Sequence, residues 1–342
     1  METISKPRRD ASDRKGLRAA IGIRSPNGWC EIDGCQIAWQ EVGGHERRTQ
    51  PILCLHAAGS GSREFHPLLN HRMIGSRLIF VDWPGHGRSD GFPEGSGQKL
   101  TVEYGATMLQ RLIGQLEIEQ PILLGSGFGA AAAIRFAADF PHQALGLVLC
   151  QPSGLVASNS SGSSRQGNRG LRTMLRRIEK YAPGKAGSQL TLAAKRQALR
   201  IEILKPIMRS AVAVARKSLE RSSATLRSAL ESLTIPALFA LLHDSLEYPL
   251  SRYIALLEPS MAWAPRHQFT VFEGAFNPIW DEPKRFSQML TGFVQARLPL
   301  ENHTHAWMIS AVDWPTKDNN LWKCVHPECG AERVLPAGKN AN

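Results

Sequence analysis

Residues 121–140 read Pro121-Ile-Leu-Leu124-Gly125-Ser126-Gly127-Phe128-Gly129, followed by an alanine-rich stretch that closes at Phe140. A short run of apolar residues without polar interruption is the pattern of a strand buried on both faces. The glycines that follow allow a tight turn, and the alanines are the strongest helix formers. The segment therefore predicts a strand, a sharp turn at its carboxyl end and a helix returning across the sheet.

The same unit recurs on either side of it. Pro51-Ile-Leu-Cys-Leu-His56 is a buried strand that runs into a glycine-rich turn, Ala57 to Gly61. Arg77 to Val81 is another, closing into Asp82-Trp-Pro-Gly-His-Gly-Arg-Ser89. Thr101 to Leu116 has helical spacing, with Thr101 as its N-cap and Glu103 in its first turn. Leu145 to Leu149, Ile235 to Leu242 and Gln268 to Phe272 supply further strands, and a last helix opens at Asp281 and runs to about Leu298. Ahead of all of them, the alternating residues from Trp29 turn at Asp33-Gly34, a β-hairpin signal. Apolar strands alternating with helices predict a mostly parallel central sheet with helices on both faces.

This places an α/β core at residues 26–151 and 235–298. Residues 1–25 read as a flexible basic leader, 152–234 as a basic helical insertion after a Ser/Gly-rich connection, and 299–342 as a tail. Lys and Arg exceed Asp and Glu by 11 in the whole chain, and between Arg165 and Glu231 there are 16 basic residues against 4 acidic ones. The excess is thus a patch on the insertion and not a property of the whole surface. Six cysteines in 342 residues are too few for a disulfide scaffold. No apolar run is long enough for a membrane span, and the leader lacks the apolar core of a signal peptide. A cytoplasmic location is expected.

Four motifs, in this order around these strands, resemble the α/β-hydrolase superfamily in its capped form over about residues 28–298. They are His56-Ala-Ala-Gly59, Asp82-Trp-Pro-Gly-His-Gly-Arg-Ser89, Gly125-Ser-Gly-Phe-Gly129 and Gly274-Ala-Phe-Asn-Pro-Ile-Trp-Asp-Glu-Pro-Lys-Arg-Phe286. The resemblance implies the α/β-hydrolase fold with a cap at 152–234. It also implies a nucleophile–histidine–acid triad on the Gly-x-nucleophile-x-Gly elbow and the loops after the later strands. In that register the nucleophile position holds Gly127, the histidine position holds Phe276, and Asp244 falls at or beside the acid position. The alternative acid position, after Leu149, holds Cys150 and Gln151. The family's backbone oxyanion donors map to Phe128 and to Ala57 or Ala58. Ser126, one residue before the elbow tip, is expected to point its side chain away. His56, His86 and Asp82 belong to structural turns of the family.

The substituted triad leads to one expectation and one alternative. The expectation is a protein without covalent ester-hydrolase activity that binds a small acyl or carbonyl ligand, or a partner, through Ala57, Ala58, Phe128 and Ser126. The alternative is an active hydrolase or lyase acting on an ester, thioester or related carbonyl compound without a triad. It would require Asp244, His243 or Asp281 to reach the tip, and neighbouring residues such as His243 and Asp244 point opposite ways on an extended chain.

Arg172, Arg176, Arg177 and Lys180 share a helical face, as do Lys195, Arg196, Arg200 and Arg209. They suit a phosphate-bearing partner such as an acyl-CoA or acyl-carrier protein. Tyr181 is the one aromatic residue of that stretch, so nucleic acid, which needs stacking platforms, is disfavoured. In the tail, Cys324-Val-His-Pro-Glu-Cys329-Gly330 has the form of a thiolate knuckle for a structural zinc ion. His303 and His305, or else Cys30 and Cys35, would complete four ligands. Cys30 and Cys35 more plainly belong to the hairpin, and His326 lies inside the knuckle.

Overall fold

A computed structural model describes residues 28–43, 50–71, 76–157, 205–245, 248–263, 267–274, 277–296, 307–311, 319–324 and 332–336. The chain opens with β1 (Gly28–Ile32) and β2 (Cys35–Gly43), paired antiparallel across a two-residue turn. Both turn residues, Asp33 and Gly34, have positive φ (53° and 74°), the conformation that matches the twist of a hairpin. β3 (Gln50–Leu55), a single 3-10 helix (Ser62–Asn70), β4 (Ser76–Val81), α1 (Val102–Gln115) and β5 (Ile122–Ser126) follow. Next come α2 (Phe128–Asp139), β6 (Gly146–Cys150), α3 (Lys205–Arg221), α4 (Ser223–Glu231) and β7 (Ala237–Leu242). The core ends with α5 (Leu250–Trp263), β8 (His267–Phe272), a short α6 (Pro278–Asp281) and α7 (Pro283–Gln295).

Eight strands form one sheet in the order β1-β2-β4-β3-β5-β6-β7-β8. β1, β2 and β4 are joined antiparallel, and every pairing from β4 through β8 is parallel. Side chains alternate between two cores, as strand geometry requires. Leu53, Leu123, Leu147, Leu149 and Phe239 face α1, α2 and α4 with Tyr253 of α5. Ile52, Leu124, Val148 and Leu238 face the 3-10 helix and α7. A sheet covered on both sides buries every residue of β5, β6 and β7, which is why those strands read as unbroken apolar runs.

The helix expected from Thr101 is present, with Thr101 Oγ1 accepting from the Tyr104 N–H at 3.1 Å. Within the insertion expected at 152–234, α3 and α4 lie against α1 and α2. Ser218 Oγ accepts from the Val102 N–H (3.0 Å), and Ser222 Oγ donates to Glu103 (2.7 Å). Residues 158–204, with most of the basic positions, lie outside the described residues, as do the leader and Phe276. Two elements go beyond the sequence reading. α5 contains Pro259, which argues against a helix from sequence. The tail holds a three-stranded antiparallel sheet in the order β11-β10-β9: β9 (Trp307–Ala311), β10 (Asn319–Cys324) and β11 (Glu332–Pro336). Among the described residues no helix is long and apolar enough to cross a membrane.

Candidate functional site

In parallel sheets of this kind ligands bind beyond the carboxyl ends of the strands. Register sets Leu55 beside Gly125 and Ser126 beside Cys150, so the turns after β3, β5 and β6 converge there. Gly127 is the tip of the middle turn, with φ 52° and ψ −109°. L-residues with a side chain enter that region at a cost of about 1–3 kcal/mol, whereas glycine enters freely. Its N–H donates to Cys150 O (3.0 Å), and its C=O accepts from Ala131 (3.2 Å) and from Ser153 (3.1 Å). The elbow is therefore laced to the end of β6. A Cβ placed on Gly127 would lie 3.0 Å from Ala57 Cβ and 3.3 Å from Ser153 Oγ. Neither neighbour titrates near neutrality, so those contacts supply no acid or base at the tip.

The donors around the tip divide sharply. The Phe128 N–H opens α2 and has no intrahelical acceptor, and Gly127 offers no side chain to cap it. No hydrogen-bond partner is found for the Phe128 or Ala58 N–H among the described residues. Ala57, expected to share that role, is corrected: its N–H donates to Glu64 Oε2 at 2.9 Å. Ser126 is likewise turned to the opposite face, as strand alternation from Ile122 and Leu124 dictates. It is 5% exposed, and its hydroxyl donates to Glu64 Oε1 at 2.5 Å.

Glu64 is the residue that sequence reasoning missed. It sits on the 3-10 helix, 8% exposed, and also accepts from Asn277 Nδ2 at 2.7 Å. Its own carbonyl accepts from Trp280 Nε1 at 2.8 Å. One buried carboxylate thus ties together the turn after β3, the elbow and the turn after β8. Burial pushes its carboxyl pKa up, and the hydrogen bonds from Ser126, Ala57, Ser60 and Asn277 oppose that shift. Asn277 follows Phe276 directly and also caps α6, its Oδ1 accepting from the Ile279 N–H at 2.8 Å.

His56 and His86 hold the turns beneath. His56 Nε2 accepts from the Trp83 N–H (3.1 Å) while Nδ1 donates to Ala57 O (2.8 Å). His86 Nε2 accepts from the Gly59 N–H (3.0 Å) while Nδ1 donates to Pro84 O (3.0 Å). Both rings need a neutral tautomer for these roles. Burial, with the charge of His86, pulls His56 down to about 4, and burial also lowers His86. Between pH 6.5 and 4 the unfolded chain takes up a proton at His56 that the folded chain refuses. Stability is therefore full above pH 6.5 and falls on acidification, by about 3 kcal/mol for a shift of this size. Urea midpoints measured from pH 7 to 4.5 are expected to fall steeply in wild type and less steeply in His56→Gln. Equal slopes would contradict the assignment.

Asp244, the expected triad acid, stands exposed in the turn after β7. The expectation that it and His243 point apart is corrected: in that turn His243 Nδ1 and Asp244 Oδ1 meet at 2.9 Å, with side chains 61% and 63% exposed. The hydrogen bond and charge of Asp244 push the His243 imidazole pKa up. Asp281 Oδ2 accepts from the Asn277 N–H at 3.0 Å. In the alternative acid position, the Cys150 thiol is buried and pushed well up by that burial. Gln151 there has φ 44°.

The loop after β6 is held from above. Tyr253 Oη donates to Pro152 O (2.8 Å) and Arg227 Nε to Leu155 O (3.0 Å). A Cβ on Gly59 would meet Val212 Cγ2 of α3 at 3.4 Å, so α3 lies over the turn that carries Ala58. Of the expected zinc ligands, Cys324 ends β10 opposite Trp307; Cys329, His303 and His305 lie outside the described residues. Cys30 and Cys35 are buried on the hairpin, and burial with Asp90 and Asp33 pushes Cys35 up to about 11.

Residues 52–314 match the family described as "Alpha/beta hydrolase family". A serine hydrolase-like protein of Danio rerio is 28% identical over 139 residues, covering 41% of this chain and 40% of that protein. The chain thus matches about two fifths of that curated relative's length. Among solved structures, a monoacylglycerol lipase of Paleococcus ferrophilus superposes with a TM-score of 0.54 at 20% identity, over 75% of this chain and 98% of its own. A serine-to-glycine mutant of an N-acyl homoserine lactonase, complexed with N-hexanoyl homoserine lactone, superposes with a TM-score of 0.57 at 20% identity, over 78% and 97%.

Proposed function

Because the chain belongs to the alpha/beta hydrolase family, we propose that it binds a small acyl or carbonyl compound without attacking it. The observation that carries this reading is Gly127 itself. It keeps the strained backbone of a nucleophile elbow, φ 52° and ψ −109°, but has no atom with which to attack. The Phe128 and Ala58 N–H groups remain as donors for a carbonyl oxygen. The lactonase neighbour gives a parallel, since its serine-to-glycine mutant is complexed with an acyl lactone.

A fluorophosphonate probe with a panel of aryl esters and thioesters tests the proposal. No serine should be labelled, and turnover should stay below about 10⁻³ s⁻¹, against the roughly 1–10³ s⁻¹ of ordinary enzymes. Labelling at Ser126 or Ser153, or turnover in the ordinary range, would refute it. Gly127→Ser alone should raise turnover by less than about tenfold, because the sequence carries Phe276 in place of the histidine that would take the proton. The alternative enzyme acting by direct water attack has one observation in its favour, the His243–Asp244 pair. Turnover abolished by His243→Ala would establish it in place of the binding reading.

Two companion proposals concern the rest of the chain. The basic face of the insertion is assigned to a phosphate-bearing partner such as an acyl-CoA or acyl-carrier protein; binding of acyl-CoA that survives about 0.5 M salt unchanged would exclude it. A structural zinc ion on Cys324, Cys329, His303 and His305 is supported by β10, whose last residue Cys324 pairs with Trp307, two positions after His305. Metal analysis should find about one equivalent, and less than roughly a tenth removes the ion.

A further inference from the structure

The acyl reading leaves open whether the ligand is an ester or an acid. We infer that the site at the elbow takes a free carboxylate, with Ser153 as its third donor. Ser153 is 8% exposed, and its Oγ lies 3.3 Å from the point where a Gly127 Cβ would stand. It therefore borders the space that a nucleophile's side chain would fill. Its main chain is fixed there by the 3.1 Å bond to Gly127 O. Among the described residues its hydroxyl has no hydrogen-bond partner.

The second line of argument is electrostatic. α2 is a 12-residue helix whose N-cap, Gly127, contributes no capping side chain. The N–H groups at such an end that lack intrahelical acceptors carry a partial positive charge and favour an anion. An ester offers one good acceptor, its carbonyl oxygen, and no charge. A carboxylate offers two oxygens and a negative charge. One oxygen would take the Phe128 and Ala58 N–H groups, and the other would take Ser153 Oγ, which borders the space freed by glycine.

In the same loop both amide atoms of Gln151 are buried with no hydrogen-bond partner among the described residues, and its backbone has φ 44°. Native structures keep few such groups, and those that persist have a reason to. A serine at 127 would compete with the second oxygen, so the glycine is part of the binding site and not merely the loss of a nucleophile.

Calorimetric titration of the full-length protein with hexanoate, methyl hexanoate and inorganic phosphate tests this inference, which rests on the acyl-binding reading above. Hexanoate should bind more tightly than its ester. Ser153→Ala should weaken hexanoate about tenfold or more, the usual effect of losing a hydrogen bond to a charged group, and should leave methyl hexanoate nearly unchanged. Gly127→Ser should weaken hexanoate at least as much. Thermal melts show whether each variant is folded. Ester bound as tightly as acid, a folded Ser153→Ala that binds hexanoate like wild type, or phosphate competing on equal terms would each overturn the carboxylate assignment while leaving the acyl reading standing. If neither hexanoate nor its ester binds, the acyl reading falls as well.

Discussion

Gly129→Ala is expected to destabilise the protein by more than about 3 kcal/mol, enough to leave much of it unfolded, even though alanine is the better helix former. A Cβ at this position would stand 2.0 Å from Leu55 O and 2.6 Å from Leu55 C. Both are backbone atoms of β3, which is hydrogen-bonded on both edges, to β4 and β5. No rotamer change relieves the clash. Either α2 lifts from the sheet or β3 shifts, and both disturb a core in which Leu53, Leu55 and Phe128 are almost fully buried. Overpacking commonly costs 1–3 kcal/mol where side chains can yield, and here none can. Gly114→Ala provides the internal control. It makes the same chemical change in α1, where an added Cβ meets nothing within 4 Å, and should stabilise by about 0.5–1 kcal/mol. Opposite signs in the urea midpoints of the two variants would establish that close approach, and not helix propensity, requires glycine at 129. A loss under about 1 kcal/mol for Gly129→Ala would mean that α2 is free to move and that the elbow is not a rigid binding frame.

That contrast also shows what the sequence can disclose. The elbow was legible because its signals are local: an apolar strand, glycines at fixed spacing and an alanine-rich helix within 20 residues. The mostly parallel sheet with helices on both faces follows from the alternation of apolar strands and helices, and Thr101 is readable as a cap from its neighbours alone; the order of the strands is visible only in the structure. Glu64 was not legible. Its burial depends on Ala57, Ser126 and Asn277, which stand 7, 62 and 213 positions away. From the sequence it looks like any surface glutamate. Ser153 was hidden in another way. It opens a Ser/Gly-rich stretch that reads as a flexible connection, yet Tyr253, about a hundred residues later, fastens its loop through Pro152. The choice between Ala57 and Ala58 as oxyanion donor was undecidable for the same reason, because the partner that engages Ala57 is Glu64.

Asp82→Ala should be the most damaging change outside the elbow, costing about 3–5 kcal/mol, the usual penalty for removing one partner of a buried ion pair. Asp82 is 1% exposed and Arg88 5%. The carboxylate accepts from the Ser62 N–H (2.7 Å), the Arg88 N–H (3.0 Å) and Arg88 Nε (3.1 Å). Burial pushes its pKa up, but the charges of His56 and Arg88 and the two backbone donors outweigh burial and hold it below the ordinary value. The variant would leave a buried guanidinium without its counter-charge and two buried N–H groups without acceptors. Ser62 starts the 3-10 helix that carries Glu64, so the damage should reach the turn that presents Ala58. Asp82→Asn separates the contributions. It keeps one acceptor oxygen but loses the charge, and should retain part of the lost stability. The pH dependence checks the same point. A carboxyl whose folded-state pKa is lowered adds stability above its unfolded value of 3.8, and that stability is lost as pH falls through the lower folded value. Denaturation curves should therefore show the gap between wild type and Asp82→Asn narrowing below about pH 4. A gap that stayed constant down to pH 2 would place the effect in shape and packing, and not in the charge of Asp82.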